Sequence, residues 1–240
     1  MLKCGFKPAF CKNEEPGLGQ SLCPQQPTVG SRTTRLLIAR RSRLWGMVLT
    51  RLKNMGNNKA LFLDRDGVIN IERGYVHCRE AFQFQEGIFE LCRAAQTLSY
   101  LLVVITNQAG IARGYYTESE FLELTEWMID KFAEEQVQIA HVYYCPYHPV
   151  HGNGRYKCDS PDRKPKPGML LRARVDFDLN ISSSVYIGDK QSDMQAAGAA
   201  GVGTKILLRP GAAEMEVQED DCYVSGSLHN IRYRFFSATS

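Results

Sequence analysis

From residue 59 onward the chain alternates short apolar runs with longer amphipathic stretches. Ala60-Leu61-Phe62-Leu63, Leu101-Leu102-Val103-Val104-Ile105, Ile139–Tyr144, Ser184-Val185-Tyr186-Ile187 and Thr204–Leu208 are each too short for a helix. Such runs are expected of parallel strands buried on both faces. Helical periods lie between them. Glu86–Leu98 sets Ile88, Leu91, Cys92, Ala95 and Leu98 on one stripe, which makes Cys92 a core residue. Thr117-Glu118-Ser119-Glu120 has the form of a capping box, and the helix behind it turns Phe121, Leu124, Met128 and Phe132 inward. Gly168–Phe177 and Met194–Ala200 read as further helices, and Ser227–Ser240 as a short packing helix. Strands and helices alternating at this spacing imply right-handed crossovers and an α/β fold, a doubly wound and mainly parallel sheet. No stretch after Asp66 or between the middle strands is long enough for a large cap domain.

Residues 1–58 break the pattern. They hold Pro16, Pro24, Pro27 and a basic stretch from Arg32 to Arg43 with little periodicity. Three readings stay open: a basic disordered extension, a start codon assigned upstream of the true one (Met47 and Met55 both precede the first strand), and an Arg-rich transit peptide. Any chemistry is therefore sought in a domain at 59–240.

Charge sharpens this division. The formal net charge is +3, but residues 1–58 hold ten Lys/Arg against two acids, a net +8, and the remainder carries −5. A mildly acidic body offers no broad nucleic-acid footprint. With 240 residues and 44% apolar content the chain can bury a full core. Its eight cysteines are not needed as staples, and without a secretory signal they are expected as free thiols in a reducing, cytoplasmic setting. No apolar run in the body approaches the roughly 20 residues of a membrane span.

The polar residues that interrupt the apolar runs fall at one edge of the expected sheet. Asp64 and Asp66 follow the first strand, with Gly67 letting the backbone turn away. Thr106 and Asn107 follow the second, Asp189 and Asp193 the fourth, and Lys164 lies just ahead of the helix before that fourth strand. Singly, each has an ordinary reading as a turn residue, a surface charge or a helix cap. Together, at the strand ends where open α/β sheets bind ligands, they suit a phosphate ester. The acids can hold Mg²⁺, and Thr106 and Lys164 can answer the charge of phosphoryl oxygens.

Asp64-x-Asp66-Gly67, Thr106-Asn107-Gln108, Lys164 and Gly188-Asp189-Lys190-x-x-Asp193 together resemble the four-motif set of the haloacid dehalogenase superfamily. The resemblance extends over residues 59–211. Gly74-Tyr75-Val76-His77, Thr106–Gly114, Tyr143-Tyr144-Cys145-Pro146, Arg163-Lys164-Pro165-x-Pro167-Gly168 and Gly188–Ala197 are similar to the D-glycero-D-manno-heptose 1,7-bisphosphate 7-phosphatases. The histidinol-phosphate phosphatases are close relatives.

The resemblance implies roles. Asp64 would be the nucleophile that forms an aspartyl-phosphate, and Asp66 the general acid and then base. Mg²⁺ would be held by the Asp64 carboxylate, the Asp66 backbone carbonyl and Asp189, with Lys190 orienting the last and Asp193 bracing the loop. Thr106 and Lys164 would stabilise the transferring phosphoryl group. Glu72, Arg73, Gly74 and Tyr75 after the first strand, and Asn107, Gln108 and Ala109 after the second, would touch a small sugar phosphate. Arg163 would grip its distal phosphate. The implied setting is ADP-heptose supply for lipopolysaccharide, with the protein a monomer that needs no nucleic-acid or membrane partner.

One loop, at about 145–162, departs from the family. Many members carry a structural Zn²⁺ there, bound by Cys-x-His and Cys-x-Cys. Here the first pair reads Cys145-Pro146-Tyr147-His148 and the second lacks its closing cysteine. A substitute zinc set of Cys145, His148, His151 and Cys158 and a zinc-free loop both stay open. So do two other function classes. A phospho-aspartate receiver shares the strand-end aspartate, but an acid two residues on promotes turnover. A dead scaffold predicts a damaged motif, and none is damaged.

Overall fold

A computed structural model of the chain describes residues 58–212, 217–218 and 222–237. The expectations for residues 1–57 lie outside the described residues. Seven strands form one sheet: β1 (Lys59–Leu63), β2 (Tyr100–Asn107), β3 (Ile139–Cys145), β4 (Val185–Gly188), β5 (Thr204–Leu208), β6 (Val217–Gln218) and β7 (Cys222–Ser225). Their order is β3-β2-β1-β4-β5-β7-β6, parallel except for the β6–β7 pair.

Burial follows from the apolar runs. β1 is buried along almost its whole length, and its side chains alternate between the two sides. Leu61 and Leu63 join one core with Val104, Ile88 and Phe121. Ala60 and Phe62 join the other with Val103, Ile105, Leu170 and Ala197. Helices therefore cover both faces, as a mainly parallel sheet requires.

The helices are α1 (Ile88–Thr97), α2 (Ala109–Arg113), α3 (Glu118–Glu134), α4 (Gly168–Asp176), α5 (Gln191–Ala200) and α6 (Leu228–Phe235). The stripe expected over 86–98 is the buried face of α1, with Ile88, Leu91, Cys92 and Ala95 inside. α3 opens on a complete capping box, Thr117 with Glu120, and buries Phe121, Leu124, Met128 and Phe132. Between β1 and α1 the chain forms only a short 3₁₀ turn, Arg79–Ala81, so no cap domain intervenes there. Among the described residues no helix is long and apolar enough to cross a membrane.

The strand order sets the position of the site. The chain steps outward from β1 to β2 and β3, then returns to the other side of β1 with β4 and β5. The sheet thus has its switch point between β1 and β4, where ligands bind in doubly wound sheets.

The expectation of unbridged thiols holds at Cys78, Cys92, Cys145 and Cys222. It does not hold at Cys158, which is disulfide-bonded.

Candidate active site

β1 and β4 are adjacent and in register, so Asp64 and Asp189, each just past its strand, emerge side by side. The Asp64 N–H donates to the Ile187 carbonyl at 3.0 Å, which extends the pairing by one residue. After Asp64 the chain curls tightly. The Arg65 carbonyl accepts from the N–H groups of Ile69 at 2.8 Å and Asn70 at 3.0 Å. Gly67 takes φ +95° in this turn, with the Asp189 carboxylate against its α-carbon.

The cluster beneath the turn is buried and highly charged. Lys164 Nζ lies 2.9 Å from Asp64 Oδ1 and 2.7 Å from Asp193 Oδ1. It also donates to the Ile105 carbonyl at 2.9 Å. Burial alone would push this ammonium down, but Asp64, Tyr186 and Asp193 more than reverse it and hold the lysine well above its ordinary value. Burial pushes the Asp64 carboxyl up to about 8, against the attraction of Lys164 and with repulsion from Asp193, Asp189 and Asp66. Asp189 is raised as well, first by burial, then by Asp193, while Lys190 opposes both. Lys190 rises to about 12 because Asp189, Asp64 and Glu72 outweigh its own burial.

Lys164 is positioned by Asn107. The Asn107 amide donates to the Lys164 carbonyl and accepts from the Lys164 N–H, both at 3.1 Å. This reciprocal pair ties the Pro-rich loop to the end of β2. Asp193 is more than a brace: it shares Lys164 with Asp64, and its Oδ2 accepts from the Lys190 N–H at 3.0 Å.

Asp66 sits in a separate network. Arg65 Nη2 contacts its two oxygens at 2.9 and 2.8 Å, Asn70 Nδ2 donates to Oδ1 at 3.1 Å, and Gln108 Nε2 donates to Oδ2 at 3.2 Å. Arg65 is only 1% exposed. Its Nη2 also donates to the Val76 carbonyl at 2.7 Å, binding the acid to the loop that follows β1.

These groups open on a cleft of about 430 Å³. Asp64, Asp66, Thr106, Asn107, Gln108, Ala109, Lys164 and Arg163 line it, as do Glu72, Gly74, Tyr75 and Lys190. Glu72 joins the two sides of the cleft, with Oε2 at 3.1 Å from Lys190 Nζ and Oε1 accepting from the Gly74 N–H at 2.7 Å. Arg73 is the exception among the residues expected to touch substrate. Its guanidinium turns out to Gln83 Oε1 at 2.7 Å.

The substitute zinc set is not assembled. Among the described residues the only group of three or more such ligands within 4.8 Å of one another is Asp64, Asp189 and Asp193. His148 Nδ1 accepts from the Val150 and His151 N–H groups at 3.1 and 3.0 Å, Cys145 is buried with its thiol toward the Tyr147 carbonyl, and Cys158 is disulfide-bonded.

Three residues escaped the sequence reading. Arg65 could have been suspected, since an arginine between two strand-end acids has little chance of staying in water. Arg113 lies over the Tyr75 ring at 6.0 Å, and its charge helps lower Arg163 after burial has done so. Neither Arg113 nor Arg163 forms an ion pair among the described residues. Tyr116 lines the cleft from the end of the loop before α3.

The chemistry of the donors bears on a metal. Asp189 Oδ1 is buried with no hydrogen-bond partner, which is costly for a carboxylate oxygen. Both Asp193 oxygens are engaged with Lys164 and Lys190. The bare oxygen of Asp189, grouped with the carboxylates of Asp64 and Asp193, therefore fits a hard divalent cation.

A family model described as HAD-hydrolase-like matches residues 162–224. The chain is 58% identical over 151 residues to D-glycero-alpha-D-manno-heptose-1,7-bisphosphate 7-phosphatase of Burkholderia mallei, covering 63% of this chain and 80% of that protein. It is 55% identical over 152 residues to the D-glycero-beta-D-manno enzyme of Vibrio cholerae, covering 63% and 82%. Among solved structures, a HAD-like phosphatase of Mesorhizobium loti is 35% identical with a TM-score of 0.63, over 70% of this chain and 78% of that one. The D,D-heptose 1,7-bisphosphate phosphatase of B. bronchiseptica, complexed with magnesium and phosphate, shares the fold at 23% identity and a TM-score of 0.62, over 73% and 97%.

Proposed function

We propose that this chain, which belongs to the D-glycero-D-manno-heptose-1,7-bisphosphate 7-phosphatase family of the haloacid dehalogenase-like hydrolases, removes the 7-phosphate of a heptose 1,7-bisphosphate. The observation that carries this is the buried Asp64 at the switch point, held by Lys164 at 2.9 Å beside the bare Asp189 oxygen.

Asp64 attacks phosphorus, and the bond from phosphorus to the sugar oxygen breaks. The leaving oxygen takes a proton from Asp66. Asp66 then takes a proton from the water that cleaves the aspartyl-phosphate, so the enzyme returns to its starting state with inorganic phosphate released. Thr106 and Lys164 answer the charge on the phosphoryl oxygens throughout. Mg²⁺, when bound, would be held by Asp64, Asp189 and the Asp66 carbonyl and would screen the anionic phosphoryl group from the anionic nucleophile. At the other end of the cleft Arg163, with Arg113 near it, meets the phosphate that is retained.

The product, a heptose 1-phosphate, suits ADP-heptose supply for lipopolysaccharide in the cytoplasm. We assign the activity to a monomer whose catalytic domain begins near residue 59. Two phosphate-facing ends of one cleft favour a bisphosphate over histidinol phosphate. The test is phosphate release with Mg²⁺ from each of these substrates. Heptose 1,7-bisphosphate should be turned over faster, Asp64→Asn should abolish turnover, and Arg163→Ala should raise KM for the bisphosphate while leaving histidinol phosphate unaffected. Equal inertness of wild type and Asp64→Asn would refute the enzyme reading and leave a receiver-like module.

A further inference from the structure

The Tyr116 hydroxyl is buried in the wall of the cleft, and the proposed reaction gives it no part. The side chain is 5% exposed, and its hydroxyl lies 2.5 Å from Gln108 Oε1. The far end of the same amide donates to Thr106 Oγ1 at 2.8 Å and to Asp66 Oδ2 at 3.2 Å. We propose that Tyr116 is a positioning residue that fixes the Gln108 amide and, through it, the Thr106 hydroxyl and the Asp66 carboxylate. This rests on the roles given above to Thr106 and Asp66.

An amide side chain can present either end, and only its partners decide which. A carboxylate accepts and cannot donate, so the end of Gln108 facing Asp66 must be its NH₂ group. The end facing Tyr116 is then the carbonyl, which needs a donor. Burial pushes the Tyr116 hydroxyl above its ordinary range, so it stays protonated and supplies that donor. The consequence reaches Thr106. Because Thr106 Oγ1 already accepts from Gln108, its own proton is free to point into the cleft, where a phosphoryl oxygen would receive it.

The ring of Tyr116 is held from other directions. His77 stacks on it with centroids 5.2 Å apart and planes 5° from parallel. His77 Nδ1 also lies 2.9 Å from the Tyr75 carbonyl, so the loop carrying Gly74 and Tyr75 rests on this ring. At Gly110 of α2 any Cβ would collide with the ring. Tyr116 is thus the point where the substrate-facing loop, α2 and the acid–base network meet.

Tyr116→Phe keeps the ring and its stacking and removes only the hydroxyl. With heptose 1,7-bisphosphate and Mg²⁺, kcat should fall about tenfold, the rate equivalent of one lost hydrogen bond, with KM within about twofold of wild type. A merely structural tyrosine would not give that split. Adding Tyr116→Phe to Gln108→Ala should cause no further loss, since the hydroxyl acts through the amide. Unchanged kcat in Tyr116→Phe beside an active wild type, or full additivity with Gln108→Ala, overturns this inference alone. An inert wild type overturns it together with the phosphatase reading on which it rests.

Discussion

At Gly67 the backbone takes φ +95°, and the Asp189 carboxylate occupies the place where a Cβ would project. Two costs meet in Gly67→Ala: a left-handed backbone that L residues adopt at about 1–2 kcal/mol, and displacement of the acid whose free oxygen suits a cation. Gly67→Ala should therefore lose far more activity than stability, with phosphate release down at least about a hundredfold and the Mg²⁺ concentration for half-maximal rate raised. Rates measured across a Mg²⁺ titration, beside a thermal melt, check this. Much at this scale was legible in the sequence because each motif places its polar group directly after an apolar run. Asp64, Thr106 and Asp189 are such cases. Arg73 was misjudged because a loop gives no alternation rule for which side chains face inward. Arg65 and Tyr116 were missed because loop conformation, which no sequence period reports, sets their partners, Val76 for one and Gln108 for the other.

Among the elements, α3 was the most legible. A capping box fixes where a helix begins, and the four inward positions then follow from its period. Thr117 Oγ1 accepts from the Glu120 N–H at 3.2 Å, and Glu120 Oε2 accepts from the Thr117 N–H at 2.7 Å. Thr117→Ala removes half of this exchange on an exposed turn and should cost about 1 kcal/mol. The helix start lies next to Tyr116, yet the Tyr116 hydroxyl is held by Gln108 rather than by the cap. Urea denaturation should therefore register the loss while kcat stays within about twofold of wild type. A large fall in kcat would mean that the cap, not the Gln108 amide, sets the position of Tyr116. The elements that escaped were α2, β6 and β7. Ala109–Arg113 is a single turn or so, too short to display a period, and Cys222–Ser225 is a four-residue strand recruited by β5. Strands that short are defined by their neighbours rather than by their own composition.

For the molecule as a whole, the sheet order gathers acids from β1, β4 and the head of α5 into a buried space with Lys164 at its centre. That crowding has a thermodynamic consequence. The Asp64 carboxyl is raised from 3.8 to about 8, chiefly by burial. A group that holds its proton more tightly when folded contributes stability that is complete below its unfolded value and is lost as pH rises through its folded one. The metal-free protein should accordingly lose stability from this group between about pH 4 and pH 8. A divalent cation competes with that proton, so its stabilising effect has the opposite trend: small at low pH, and growing until the carboxyl is ionised. The melting temperature gained from millimolar Mg²⁺ should therefore be greater near pH 8.5 than near pH 5.5. Each kcal/mol of that difference corresponds to roughly 2–4 °C in a domain of this size. Asp189→Asn removes a carboxylate from the oxygen set and should flatten the gain at both pH values, whereas Arg163→Ala, at the opposite end of the cleft, should leave it intact. A gain that is equal at the two pH values in the wild type would mean that the cation does not displace a proton from Asp64, and that the acids at the switch point are balanced by Lys164 and Lys190 alone.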